Sequence, residues 1–258
     1  MTGTLVFTDL DDTFVHRENY GFQEAVPAVR WLLDEVNALV VFVTSKTEAE
    51  ILVLQRELGI EGSPFVAENG AFVAGVNPAY SYNDVCQVLA QAAKSSGATV
   101  EGFSSLTAEG LSQLTGLSVE GAGLAKKRRA TEPFRMLSGE LSLLSAEVTK
   151  ITGGALTIQR GGKFYSIGPA TTKADGVRSL LAEYSPKVSV GLGDAENDLE
   201  FLKAVQFPVL INSPHLERVR PHLPQALVTL EHAPGGWAEA IQTLAALGVF
   251  GEYLRWDR

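Results

Sequence analysis

Short apolar runs alternate with helix-periodic segments at both ends of this chain, and that alternation limits the folds open to it. Leu5-Val6-Phe7 stops at Thr8-Asp9, the pattern of a strand buried on both faces. Val26, Val29, Leu32, Leu33 and Val36 follow at helical spacing, so a helix is expected over residues 27–38. Leu39–Val43 is a second buried run. Residues 47–58 read as a helix, with Thr47 placed to cap it, Glu50 three residues later and Gly59 as its stop. The pattern returns near the C-terminal end: helix 172–184, strand 188–192, helix 197–204, strands 207–211 and 226–230, helix 237–247. Strands and helices in strict alternation make a parallel sheet covered by helices.

The middle is of another kind. Helices expected at 82–94 and 141–151 sit among strands expected at 133–137, 155–159 and 164–167, with Gly161-Gly162 as a hairpin turn. The fold class is therefore α/β: a Rossmann-like parallel-sheet core domain, residues 1–76 and 169–258, with an inserted α+β domain, residues 77–168. The crossings near 75–80 and 168–172 are marked by Gly or Pro, so hinges are expected there.

Composition removes several function classes. The net charge of −9 and a pI near 5.0 disfavour a nucleic-acid or anionic-membrane partner, although a local basic pocket on such a chain still admits an anionic substrate. The single cysteine, Cys86, excludes an internal disulfide and a multi-cysteine metal site. His16, His215, His222 and His232 are dispersed. No apolar run nears the ~20 residues of a membrane helix, and Met1-Thr2-Gly3-Thr4 lacks a signal-peptide layout. A cytoplasmic protein is expected.

Two acidic segments carry the chemistry. Asp9, Asp11 and Asp12 lie directly after the first strand, where ligands bind in open parallel sheets. Three carboxylates in four positions repel one another unless a cation compensates them, or unless they cap the next turn. Asp194, Glu196, Asn197 and Asp198 follow the strand at 188–192; helix capping and metal binding both suit them. Two acidic strand ends offer hard oxygen ligands, which fit Mg²⁺ better than zinc. Thr44, Ser45, Lys46 and Thr47 end the second strand with hydroxyls and backbone N–H groups suited to phosphate oxygens, or simply to capping. The cluster Lys126-Lys127-Arg128-Arg129 reads as a solvated helix end or as an anion contact, and Trp237 as core.

Four of these segments resemble the motifs of the haloacid dehalogenase-like phosphatases: Asp9-x-Asp11-x-Thr13, Thr44, Lys173 before a helix, and Gly193-Asp194-x-x-Asn197-Asp198. Asp12 and Ala174 stand where that superfamily often has glycine. The insertion looks like its Cof-type α/β cap. Residues 44–50, Glu68-Asn69-Gly70, Thr131-Glu132-Pro133-Phe134, Gly161 to Tyr165 and His232 to Trp237 are similar to the mannosyl-3-phosphoglycerate phosphatase family.

The resemblance implies Asp9 as nucleophile, Asp11 as general acid and base, and Thr44, Ser45 and Lys173 as phosphate ligands. It implies Mg²⁺ on Asp9, Asp11 and Asp194, with Asp198 and Asn197 behind them. Asn197 is expected to support the loop or Lys173. Lys46, Glu68, Asn69, Arg129, Glu132 and Lys163, with Arg128 also considered, are the substrate candidates, for a phosphorylated sugar–glycerate made into mannosylglycerate, a compatible solute. A glucosyl-3-phosphoglycerate or other sugar-phosphate phosphatase, or a phosphosugar mutase, stays open, as does a monomer or homodimer.

Overall fold

The computed structural model describes residues 3–16, 19–161 and 163–251. Gly162, half of the expected hairpin turn, lies outside them. The chain forms two compact units: Met1–Thr44, Leu54–Val66 and Lys173–Arg258 make the first, Ser45–Val53 and Ala67–Thr172 the second. The second thus takes in residues 45–53 and 67–76 besides the insertion, because Thr47 Oγ1 donates to the Leu124 carbonyl at 3.1 Å and Glu68 holds residues 129–131.

The strands are β1 (Thr4–Thr8), β2 (Leu39–Val43), β3 (Phe65–Ala67), β4 (Phe72–Val73), β5 (Thr99–Gly102), β6 (Glu132–Ser138), β7 (Leu156–Arg160), β8 (Tyr165–Pro169), β9 (Val188–Gly193), β10 (Phe207–Asn212) and β11 (Leu227–His232). The helices are α1 (Val26–Asp34), α2 (Glu48–Leu58), α3 (Tyr82–Ser96), α4 (Ala108–Thr115), α5 (Val119–Ala125), α6 (Leu141–Thr152), α7 (Lys173–Tyr184), α8 (Leu199–Leu202), α9 (Leu216–Val219) and α10 (Gly235–Ala246).

In the first unit the strands run in the order β11-β10-β9-β1-β2-β3, with parallel pairings throughout. Thr8 of β1 is in register with Phe42 of β2 and Leu192 of β9, so these three strands end at one edge of the sheet. Burial on both faces explains their unbroken apolar runs: Leu5, Val6, Phe7, Val40, Val41, Phe42 and Val43 are all inaccessible. Trp237 is core, as expected; its Nε1 donates to Thr8 Oγ1 at 3.0 Å and its ring meets Phe14 edge-on at 5.2 Å. Gly176 of α7 lets that helix approach β3, since a Cβ there would lie 2.5 Å from Val66 Cγ1.

The second unit holds a four-stranded antiparallel sheet, β5-β6-β8-β7. Val85, Leu89, Phe134, Leu144, Val148 and Ile167 form its core, the stripes of α3 and α6 meeting the inner face of the sheet. Two expectations are corrected. The first helix ends at Asp34 rather than at 38, because Glu35 and Val36 fold back onto the Trp31 carbonyl. Residues 197–204 split into a 3₁₀ turn, Glu196–Asp198, and the single turn α8. β5, α4 and α5 were not legible. β5 is a short, half-exposed run, and α4 and α5 are glycine-containing helices made possible by N-caps from Thr107 and Ser118.

No helix among the described residues is long and apolar enough to cross a membrane.

Candidate active site

The first unit gathers its acidic residues at the carboxyl ends of β1 and β9. Asp9 leaves β1 with its N–H on the Leu192 carbonyl at 3.0 Å, and Asp194 leaves β9. Between them Leu10 accepts the N–H groups of Thr13, Phe14 and Val15, folding Asp11 and Asp12 into a tight loop. Asp12 holds a φ of 60° there, a left-handed conformation that explains why glycine is at home at that position. Thr44 ends β2, buried, its N–H on the Val66 carbonyl at 2.9 Å.

Lys173, 2% exposed at the start of α7, organises the cluster. Its Nζ lies 2.7 Å from Asp9 Oδ1 and 2.8 Å from Asp198 Oδ1. Asp198 Oδ2 in turn accepts the N–H groups of Asp194, at 3.0 Å, and Ala195, at 3.1 Å. Asp198 therefore fixes both the loop and the lysine. Asn197 is exposed on the same 3₁₀ turn. Gly193 is required beneath this arrangement, because a Cβ there would sit 2.7 Å from that of Asp198.

The electrostatics are acid-rich. Burial pushes Asp9 well above the usual carboxylate range; Lys173 pulls it down, and Asp198 and Asp11 push it up again. Burial also lifts Asp194, to about 7, with Asp198 and Asp12 adding to it. Lys173 is raised, since Asp198 and Asp9 outweigh the burial that lowers it. Thr13 Oγ1 donates to Asp194 Oδ1 at 3.2 Å, but buried Oδ2 has no hydrogen-bond partner among the described residues. Carboxylate oxygens of Asp9, Asp194 and Asp198 lie within 4.8 Å of one another, a spacing that suits a cation. Asp198 is committed to Lys173 and two N–H groups, so Asp194 Oδ2 and Asp9 are the oxygens left to face it.

The second unit contains a cavity of about 220 Å³. Glu68 dominates one wall. Its carboxylate, 1% exposed as a residue, accepts from the N–H groups of Arg129, Ala130 and Thr131 and from Thr131 Oγ1, and pairs with Arg128 Nε at 3.4 Å. This clasp supports two successive left-handed residues, Glu68 at φ 52° and Asn69 at φ 57°, each costing roughly 1–3 kcal/mol. Glu68→Ala is expected to destabilise the protein by about 3–5 kcal/mol, because it strands a buried guanidinium and three backbone donors. Denaturant unfolding measures this, and a loss below about 1 kcal/mol would contradict the clasp.

Other expected substrate residues fall in different places. Glu132 is fully buried and accepts from Tyr82 Oη at 2.6 Å and from Ser104 N and Oγ at 2.9 and 2.6 Å, a cap-sheet anchor rather than a surface for sugar hydroxyls. Arg129 pairs with Glu48 at 3.1 Å and stacks over Phe72. The Lys46 carbonyl accepts the Glu68 N–H at 3.0 Å. Ser45, Asn69 and Lys163 line the cavity, and Ser45 offers its carbonyl to Arg128. The basic cluster is not one solvated helix end: Lys126 Nζ bonds the Leu106 carbonyl, and the Arg128 side chain is only 8% exposed. Arg128 carried little weight in the sequence because its partner Glu68 is far along the chain and no local spacing links the two.

No family model matches the chain. Two curated relatives do, over nearly their whole length. A glucosyl-3-phosphoglycerate/mannosyl-3-phosphoglycerate phosphatase of Methanococcoides burtonii is 32% identical, covering 93% of this chain and 96% of the relative. One of the same description from Persephonella marina is 32% identical over 92% and 95%. The chain belongs to this phosphatase family. Among solved structures, a haloacid dehalogenase-like hydrolase from Bacteroides thetaiotaomicron shares the fold, with a TM-score of 0.70 and 18% identity over 93% of this chain and 99% of that one. The protein is thus a phosphoric monoester hydrolase with a haloacid dehalogenase-like fold.

Proposed function

We propose that this phosphatase hydrolyses mannosyl-3-phosphoglycerate to mannosylglycerate and phosphate, through an aspartyl-phosphate on Asp9 and with Mg²⁺. The observation that carries the reading is Asp9 held by Lys173 beside the unpartnered oxygen of Asp194. Glucosyl-3-phosphoglycerate is the second reading, favoured by the double description of both relatives.

Asp9 attacks phosphorus, and the bond from phosphorus to the glycerate oxygen breaks. Asp11 gives its proton to that leaving oxygen, then takes one from the water that attacks the aspartyl-phosphate. The bond to Asp9 breaks, phosphate leaves and the enzyme is restored. Lys173 and Thr44, with Ser45, hold the phosphoryl oxygens, and Asp198 keeps Lys173 in place. Asp9, the Asp11 carbonyl and Asp194 would hold Mg²⁺, with Asp198 and Asn197 behind them. Bound there, the ion offsets the repulsion between a carboxylate nucleophile and a phosphate dianion. Residues 1–76 and 169–258 carry this chemistry, and the cap, residues 77–168, selects the leaving group. The acidic net charge disfavours nucleic acid or an anionic membrane as partner and still admits a small phosphorylated sugar–glycerate in a local basic pocket, for a protein read as a cytoplasmic monomer or homodimer.

Phosphate release from a panel of sugar phosphates, with and without Mg²⁺, tests the reading. Mannosyl- and glucosyl-3-phosphoglycerate should be preferred, Mg²⁺ required, and Ca²⁺ inhibitory, because the larger ion accepts bidentate carboxylates. Turnover in excess chelator would remove the metal; isomeric sugar phosphate in place of free phosphate would make the enzyme a mutase.

Metal binding has a second readout. A carboxyl group raised in the folded state contributes stability at low pH that is lost as pH climbs through its folded value. The metal-free protein should therefore lose Tm as pH rises from 4 through about 7, the position of Asp194. Mg²⁺ should restore more Tm at pH 8 than at pH 5. An equal effect at both would contradict Asp194 as a ligand.

A further inference from the structure

Histidines dispersed along the sequence draw together in the first unit. His16 and His232 share the wall of a cavity of about 290 Å³ with Asp12, Asn212 and Ser213, all of them in that unit. His215 follows Ser213 and Pro214 of the same wall. Its N–H donates to Ser213 Oγ at 3.0 Å, and that hydroxyl donates to the Asp194 carbonyl at 3.3 Å. The loop after β10 is thereby tied to the loop after β9, which brings His215 beside the acidic strand end. One ligand atom each of Asp12, Asp194 and His215 lies within 4.8 Å of the other two.

Asp194 is 3% exposed; its Oδ1 accepts from Thr13, and its buried Oδ2 has no hydrogen-bond partner among the described residues. An unpaired carboxylate oxygen buried beside a second carboxylate is costly, and a cation removes the cost. The donors set the class of ion. Two carboxylates and an imidazole suit Zn²⁺ and ions of similar softness, whereas Mg²⁺ prefers oxygen alone. An ion about 2.0–2.2 Å from each donor lies within their reach after small side-chain movements.

Arg218 guards the nitrogen. Its Nη2 donates to His215 Nδ1 at 2.5 Å, while its Nε pairs with Glu196 at 3.1 Å. Arginine can only donate, so in the neutral ring Nδ1 carries the lone pair and Nε2 the proton. A metal takes that lone pair once Nη2 withdraws, and Glu196 still holds the guanidinium when it does.

We propose that Asp12, Asp194 and His215 form a second divalent-metal site, selective for a borderline ion such as Zn²⁺. The Mg²⁺ position and this one both draw on Asp194, so Zn²⁺ bound here inhibits the phosphatase by competing for that carboxylate. The inhibition rests on the function proposed above; the binding of Zn²⁺ does not.

Calorimetric titration of the full chain with Zn²⁺ in Mg²⁺-free buffer reads the site without turnover. His215→Ala should weaken binding on the order of 10²-fold, since even a partner behind a metal ligand is worth about 10- to 100-fold. His232→Ala, in the wall of the same cavity, should leave it unchanged. Arg218→Met should tighten it roughly 3- to 10-fold, the range of one exposed hydrogen bond to a charged group. Zn²⁺ inhibition of phosphate release at fixed Mg²⁺ should follow the same order, with the Zn²⁺-free activity of His215→Ala close to wild type. Thermal melts confirm that the variants are folded.

An affinity unchanged in His215→Ala overturns the site, because the ion then sits on carboxylates alone. Equal losses in His215→Ala and His232→Ala overturn it as adventitious binding to histidine. Zn²⁺ that binds through His215 yet leaves Mg²⁺-supported turnover untouched overturns the sharing of Asp194. Absence of turnover on every sugar phosphate would instead defeat the proposed function, and the titration would still decide the site.

Discussion

Replacing Asp9 by asparagine is expected to lower turnover by on the order of 10⁴-fold or more while leaving the protein folded. The amide is nearly isosteric with the carboxylate but is a poor nucleophile, and most of the cluster is already engaged. Lys173 is engaged with Asp9 and Asp198, Asp198 with Lys173 and two backbone N–H groups, and Asp194 with Thr13. The fold should tolerate the change. Burial already disfavours the charge on Asp9, so the neutral amide relieves its repulsion with Asp198 and Asp11 as it loses the ion pair to Lys173. Phosphate release measured with mass-spectrometric exclusion of deamidation checks this. Retention of more than about 1% of wild-type activity would rule out covalent catalysis by Asp9.

Lys173→Met should damage both activity and stability. The lysine compensates two buried carboxylates at 2.7 and 2.8 Å, and methionine of similar length supplies no charge. Breaking a buried ion cluster by removing its cation costs about 3–5 kcal/mol, and loss of a cation aimed at a transferring phosphoryl group costs on the order of 10²–10³ in kcat. The sign with pH follows from the two directions of shift. Lys173 is raised, so its stabilisation is present throughout the neutral and acidic range in wild type. Asp9 is also raised, so in the variant it takes up a proton on acidification and sheds the uncompensated charge. The deficit in Tm should thus be largest at neutral pH and shrink toward pH 5. A deficit that does not change with pH would mean that lost packing, rather than lost charge, is responsible.

The parallel core was legible because burial on both faces leaves a local mark: Leu5–Phe7 and Leu39–Val43 are apolar at every position, and a helix follows each. The acidic cluster was legible for a related reason. Each carboxylate sits within a few residues of a strand end, so the chain displays it as a short motif. β5, α4 and α5 left no such mark, since a half-exposed strand and two short capped helices gain their stability from partners distant in sequence.

Long-range pairing is also where the sequence stopped short in the sites. Glu68 and Glu132 are acids of the kind that meet sugars, and only the fold shows that both are consumed within the second unit, Glu68 by residues 128–131 and Glu132 by Tyr82 and Ser104. Four successive cations look equivalent on paper. Burial separates them, sending Lys126 to a carbonyl, Arg129 to Glu48, and Arg128 inward to Glu68 and Thr131. Local residue pattern determined the sheet, the strand ends and the acidic residues gathered at them, because each depends on neighbours within one element. The tertiary structure decided which charges are already neutralised and which remain available, because a carboxylate or guanidinium is free or spent according to what the chain brings against it from dozens of residues away.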